Sequence, residues 1–260
     1  MILPKTSLTI LALLAVSTLF GQTKDEIYFE RFIANARNYL ELDWTAERMD
    51  NVYLYGLGNY LRNFDEPSWF REPANDSISI RLIYHESWKK SITIRISGYS
   101  GSYTNWEITV KKEGDNSVTI EDFYLDSLTN KERRQLNSAI NNSYQGSSIV
   151  IDNIYRKAAI SDSVRYKFTK LSQTLSKVEI EELLQRLDDS NFYELAPINF
   201  HPSIIHGTTC SVEVLQPTKN YHLVMQHIVL DEHVNFNHLV KFILELANKR
   251  RMIETDLNDW

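Results

Sequence analysis

Two stretches of this sequence switch between apolar and polar residues at nearly every position, and a third repeats its apolar residues every three or four. That change of period is what most restricts the fold. Ile78, Ile80, Leu82 and Tyr84 alternate with Ser79, Arg81 and Ile83, and Ile92, Ile94 and Ile96 alternate with Thr93 and Arg95. A period of two belongs to an extended strand, whose successive side chains leave opposite faces. "HESWKK" (85–90) lies between the two runs and reads as a hairpin turn. The grammar repeats near the C-terminus, where Thr208 to Leu215 and Tyr221 to Ile228 flank the turn "PTKN" (217–220). Then Phe236, Leu239, Val240, Ile243 and Leu246 or Ala247 recur at helical spacing. A hairpin at 208–228 followed by an amphipathic helix at 235–249 is an α+β unit, because each element has one face to bury.

The rest of the chain extends this plan. Trp106 to Val110 and Val118 to Tyr124 complete an antiparallel meander over 77–126. Short strands are expected at Ile149 to Ile151 and Val164 to Phe168. Thr129 with Glu132, and Ser176 with Glu179, fit the capping box, in which hydroxyl and carboxylate each satisfy a free N–H at a helix start. Ile180, Leu183, Leu184 and Leu187 form the stripe of the second of these helices. Upstream, residues 22–66 read as a helical segment, with Gly56 and Gly58 weakening its second helix. "DEPSWFREPAND" (65–76) is the junction into the strands. The expected class is α+β: antiparallel sheet(s), N-terminal helices, and a C-terminal covering helix over an α+β unit at 127–260.

Residues 1–21 read as a signal peptide. Lys5 precedes the apolar run "SLTILALLAVSTLFG", which stops at Gln22 to Glu26. The run is shorter than the roughly 20 residues of a membrane span. Cleavage near Gly21 is expected, although Leu19 is large for its place before that cut. No cysteine follows to carry a lipid. The protein is therefore expected to be secreted or periplasmic, with no transmembrane segment once the signal is removed. A single cysteine excludes an internal disulfide. The net charge of −6 and the shortness of the Lys/Arg clusters argue against a nucleic-acid partner.

If the C-terminal hairpin turns about Thr218 and Lys219, then Val214 faces Leu223, Val212 faces Met225 and Cys210 faces His227. One face then holds Cys210, Val212, Val214, Tyr221, Leu223, Met225 and His227. The other holds Ser211, Glu213, Leu215, His222, Val224 and Gln226. A thiol beside an imidazole can form a nucleophile pair, or half of a metal site completed by His201 and His206. The histidine pairs 201/206, 222/227 and 233/238 are each five apart, a spacing that puts neither member of a pair on one strand face or one helix face. No HExxH or paired CxxC motif is present. The pattern favours a buried cysteine acting as a small hydrophobe, and no cofactor is expected. "SGYSGS" (97–102) is not a nucleophile turn, since Gly-x-Ser-x-Gly is not met. Trp69, Trp88, Tyr99, Tyr103 and Trp106 surround the meander and form a candidate face for a protein or carbohydrate partner. Packing within a β-rich core is the competing use of those rings.

The stretches "IRLIYHESWKKSITIRI" (80–96), "EITVKK" (107–112), "SNFYEL" (190–195), "HGTTCSVEV" (206–214) and "YHLV" (221–224) resemble, in order and spacing, an uncharacterised group of bacterial proteins. The outline of that group has an Arg/Leu-rich strand, an "nFW.L" phrase and a "DGs.W.lE…Yh.V" hairpin. Gly207, Glu213, Tyr221 and His222 match it. His206, Cys210 and the Gln226–His227 pair depart from it. The resemblance implies no activity. Together these features lead us to expect an exported, non-enzymatic binding or envelope-associated module. The alternatives are a metal-assisted hydrolase using His201, His206, Cys210 and His227, and an inhibitor or immunity-type protein.

Overall fold

The structure is a computed structural model. It describes residues 57–58, 60–67, 69, 76–86, 90–115, 128–141, 167–199, 208–217, 220–227 and 233–254. The expected signal segment, the helical segment over 22–56, the strands at 118–124 and 149–151, and residues 164–166 of the strand expected at 164–168 lie outside those residues. The strands are β1 (Ser77–Glu86), β2 (Ile92–Tyr99), β3 (Glu107–Glu113), β4 (Phe168–Thr174), β5 (Ile198–Asn199), β6 (Thr208–Gln216) and β7 (Asn220–His227). The helices are α1 (Asn130–Asn141), α2 (Lys177–Asp189) and α3 (Val234–Lys249), and helical residues are also present at 57–58 and 60–63. The strands form one seven-stranded sheet in the order β4-β3-β2-β1-β6-β7-β5. All pairings are antiparallel except β5 with β7. The class is α+β, as the change of period implies.

β1 joins the two hairpin regions. It pairs with β2 on one side and β6 on the other, so the meander and the C-terminal hairpin share one sheet. β4 takes the position beside β3. Even-numbered residues of β1, β2, β3 and β6 (Ile80, Leu82, Ile94, Ile96, Ile108, Val110, Val212 and Val214) line one face in a single apolar cluster. Phe236, Leu239, Val240 and Ile243 of α3, with Ile180, Leu183 and Leu187 of α2, close over that face. Each of these side chains is worth about 1.5–3 kcal/mol when fully buried. The start of α2 follows its sequence signal. Glu179 N–H donates to Ser176 Oγ, and the Glu179 carboxylate accepts from Ser176 N–H at 2.8 Å. α1 begins in the same way at Thr129 and Glu132.

The hairpin register differs from the expected one by a single residue. Gln216 pairs with Asn220 across a three-residue turn, so Cys210 lies opposite Gln226 and His227 opposite Thr209. Tyr221, Leu223 and Met225 therefore share a face with Glu213, while His222, Val224 and Gln226 share one with Cys210. The physical cause is that both faces of these strands are covered. Leu215, Leu223 and Met225 are as buried on one side as Val212, Val214 and Val224 are on the other. Sorting apolar from polar residues cannot then choose a register. A polar contact is consistent with the one adopted: Tyr221 O–H donates to Glu213 Oε1 at 2.8 Å, within one face.

Candidate functional site

The second face of the sheet carries charge, and the described residues 60–67 and Trp69 lie over it. The helical stretch ends at Asp65, whose φ of 52° lies in the left-handed region. Glu66 N–H donates to Leu61 O at 2.7 Å, and Asp65 N–H to Arg62 O at 3.1 Å. This pair of reversed bonds is a Schellman motif, which ends a helix sharply. It turns the Glu66 carboxylate into the sheet. There Glu66 meets three cations: Lys111 Nζ at 2.6 Å, Arg95 Nη1 at 3.1 Å and Arg81 Nη1 at 3.5 Å. Lys111 also donates to Phe64 O at 2.6 Å and Asp65 O at 2.9 Å, so it caps the helix end with a charge of the favourable sign.

Arg81 is the centre of the network. Nε donates to Glu213 Oε2 at 2.6 Å, Nη1 donates to Pro67 O at 2.7 Å, and the Trp69 ring lies 4.0 Å from the guanidinium carbon. Burial works against its charge, but Glu213 and then Glu66 outweigh that cost, and its pKa is raised. Among the described residues, Nη2 and Thr93 Oγ1 on β2 are buried with no hydrogen-bond partner. The cross-strand pairings Glu213–Arg81, Arg81–Arg95 and Arg95–Thr109 set this row across four strands. Three cations (Arg81, Arg95, Lys111) face two carboxylates (Glu66, Glu213). Such a cluster holds the covering segment in one geometry. Both Glu66 oxygens meet cations, and Glu213 is shared between Arg81 and the Tyr221 O–H.

The residues singled out from sequence fare unequally. Cys210 is buried and free, and burial pushes its thiol pKa up, away from the nucleophilic thiolate. The observed register does not set it opposite His227. His201, His206 and Trp88 lie outside the described residues. Among the described residues no three His, Cys, Asp or Glu side chains converge on a point where a metal could bind. Trp69 and Trp106 are buried at 3% and 2% exposure, so these two rings are not on a binding surface. Trp106 lies against Gly98, where a Cβ would come within 2.3 Å of the ring. Its Nε1–H donates to Ser102 O at 2.7 Å, which pins the loop after β2. Tyr99, at the end of β2, and Tyr103, in that loop, are 59% and 45% exposed. Lys177, at the start of α2, holds its ammonium 5.0 Å from the Tyr103 ring centre, and the next residue, Val178, is 71% exposed.

Sequence reasoning missed Glu66, Arg81, Arg95 and Lys111, and it set Tyr221 on the face with Cys210 rather than with Glu213. The signal was available in "IRL", "IRI" and "VEV", where one charge sits between two large apolar neighbours in a strand. Such a charge points away from the core face and is exposed only if nothing covers the other face. Comparison with known protein families, and with curated proteins, finds no match to this chain.

Proposed function

We propose that this chain is an exported, non-catalytic module that binds a polypeptide partner at the surface formed by Tyr99, Tyr103, Lys177 and Val178. One observation carries the reading: two tyrosines stand exposed, Tyr99 at the end of β2 and Tyr103 on the following loop that Trp106 anchors from below, and an exposed valine follows the lysine that meets one of them. Tyrosine offers a large contact area for two side-chain torsions and is enriched at protein interfaces. The Lys177 ammonium already occupies one face of the Tyr103 ring, which leaves less room for a sugar to stack and favours a protein partner. The charges described above are engaged with one another, and the only thiol is buried and protonated, which supports a binding role over a catalytic one.

The test places a photo-reactive benzoyl-phenylalanine at Tyr103 in the exporting cell. One discrete cross-linked polypeptide, lost when Val178 is replaced by Glu, is the expected result. An adduct to glycan alone, or no adduct after irradiation, would reject the polypeptide reading. For export, the N-terminus of the protein recovered from the envelope should begin near Gln22, and recovery of an intact Met1 in the cytoplasm would contradict it.

A further inference from the structure

Among the described residues the β4 margin of the sheet is open, and its geometry specifies what fits there. Leu175 N–H donates to Trp106 O at 2.9 Å, and Gly114 N–H donates to Lys167 O. Both contacts lie in the β3–β4 register, in which paired residue numbers sum to that of Glu107 with Thr174. In an antiparallel pair, residues that exchange hydrogen bonds alternate with residues that do not. The odd-numbered residues of β4 therefore direct N–H and C=O toward β3. Phe168, Lys170, Ser172 and Thr174 direct theirs outward, where no strand of the described residues follows in the sheet order. Thr169 to Thr174 are all exposed, and Leu171 is 47% exposed. The usual protections of an edge are sparse: the strand has one lysine, no proline, and an unbroken register with β3 that leaves no bulge.

We propose that this edge pairs with the same edge of a second copy, antiparallel, about a two-fold axis at Leu171. In that register Lys170 exchanges bonds with Ser172 of the other copy and Phe168 with Thr174, so all four outward residues are satisfied. Sliding by two residues in one direction opposes Lys170 to its own copy, which places like charges across the junction. Sliding by two in the other direction leaves Phe168 without a partner in the strand. The register centred on Leu171 avoids both. It also makes Leu171 and its copy a non-hydrogen-bonded pair, where side chains approach most closely, so the exposed leucine is covered by itself. A strand from an unrelated protein would satisfy the backbone but would not explain this self-complementarity. The inference is independent of the Tyr103 surface.

Sedimentation velocity of the purified protein from micromolar to millimolar concentration should show a monomer giving way to a dimer. Lys170→Pro removes an outward N–H that β3 does not use, so it should abolish the dimer while leaving the thermal melt and circular dichroism of the monomer in place. Leu171→Cys should form a disulfide dimer under mild oxidation, because the two copies face each other at disulfide distance. Lys170→Cys should not, because its copies sit diagonally and out of reach. Monomer at every concentration, or Lys170→Cys cross-linking as readily as Leu171→Cys, would overturn the proposal. Loss of the dimer in Tyr103→Ala would show that the contact lies elsewhere, and would overturn it too.

Discussion

The two faces of the sheet are built from alternate residues of the same strands, yet their energetics differ in kind. Under α2 and α3 the contacts are apolar: Leu82, Ile94 and Val212 against Leu239, Val240 and Ile243. Burial there is non-directional and scales with area, so a side chain of similar size and shape serves nearly as well. Under residues 60–67 and Trp69 the contacts are ionic and directional, with one carboxylate, Glu66, facing Arg81, Arg95 and Lys111. Removing one member there leaves the others charged and dry, and that cost exceeds the net worth of the intact cluster. One face is tolerant of change, and the other fixes a single arrangement. The polar face is therefore where the smallest change should do the most damage.

Glu66→Gln offers the largest expected effect. It keeps the shape and removes the charge, leaving three cations with Glu213 alone. Destabilisation of about 3–5 kcal/mol in urea unfolding is expected, as for breaking a buried ion pair. A value near that of a surface pair, about 0–1 kcal/mol, would erase the contrast between the faces. The comparison sharpens with Arg81→Met and Glu213→Leu. Together they should cost less than their sum by about 0.5–3 kcal/mol, because the pair is removed as a unit. The apolar counterpart is Ile243→Val in α3, which should cost about 0.5–1.5 kcal/mol. A larger loss there than at Glu66 would invert the ranking.

The apolar face is legible in the amino-acid sequence because its signal is periodic and local. The helix expected at 235–249 corresponds to α3, and the Ser176 and Glu179 capping box forms as its spacing implies. The polar face is not legible, for two reasons. Its members are far apart in the chain, Arg81 and Glu213 by 132 residues, so no local pattern joins them. The alternation that locates one buried face says nothing about whether the other is also covered. The same gap accounts for the displaced register of β6 and β7. With Leu215, Leu223 and Met225 buried on the side that composition makes mixed, two registers sort the residues almost equally well. The Tyr221 to Glu213 hydrogen bond agrees with only one of them, but its use depends on recognising Glu213 as buried. Two of the rings assigned to the aromatic face, Trp69 and Trp106, are buried instead, for a related reason. Trp69 serves as the lid on Arg81 and Trp106 as the anchor of a loop, and neither role leaves a mark in composition.

A smaller effect tests where the two helices of the apolar face meet. Glu179 closes the cap of α2 and accepts from Arg250 Nη2, at the end of α3, at 2.6 Å. Burial opposes its ionisation, but hydrogen bonds from the Ser176 side chain, Arg250 and the Ser176 backbone outweigh that and lower its pKa from the ordinary 4.5 to about 2. A carboxylate whose pKa is lower folded than unfolded stabilises the fold above the unfolded value. The contribution is therefore complete above about pH 5 and fades as pH falls from the unfolded pKa toward the folded one. Partial solvent access screens it, so the difference between wild type and Glu179→Gln should be about 0.5–1 kcal/mol at neutral pH. That difference should shrink steadily below about pH 4.5 and vanish near pH 2. Urea midpoints of the two proteins across this range provide the measurement. A gap that stays constant with pH would mean that the side chain acts through packing alone, and that the helix junction, unlike the polar face, does not depend on charge.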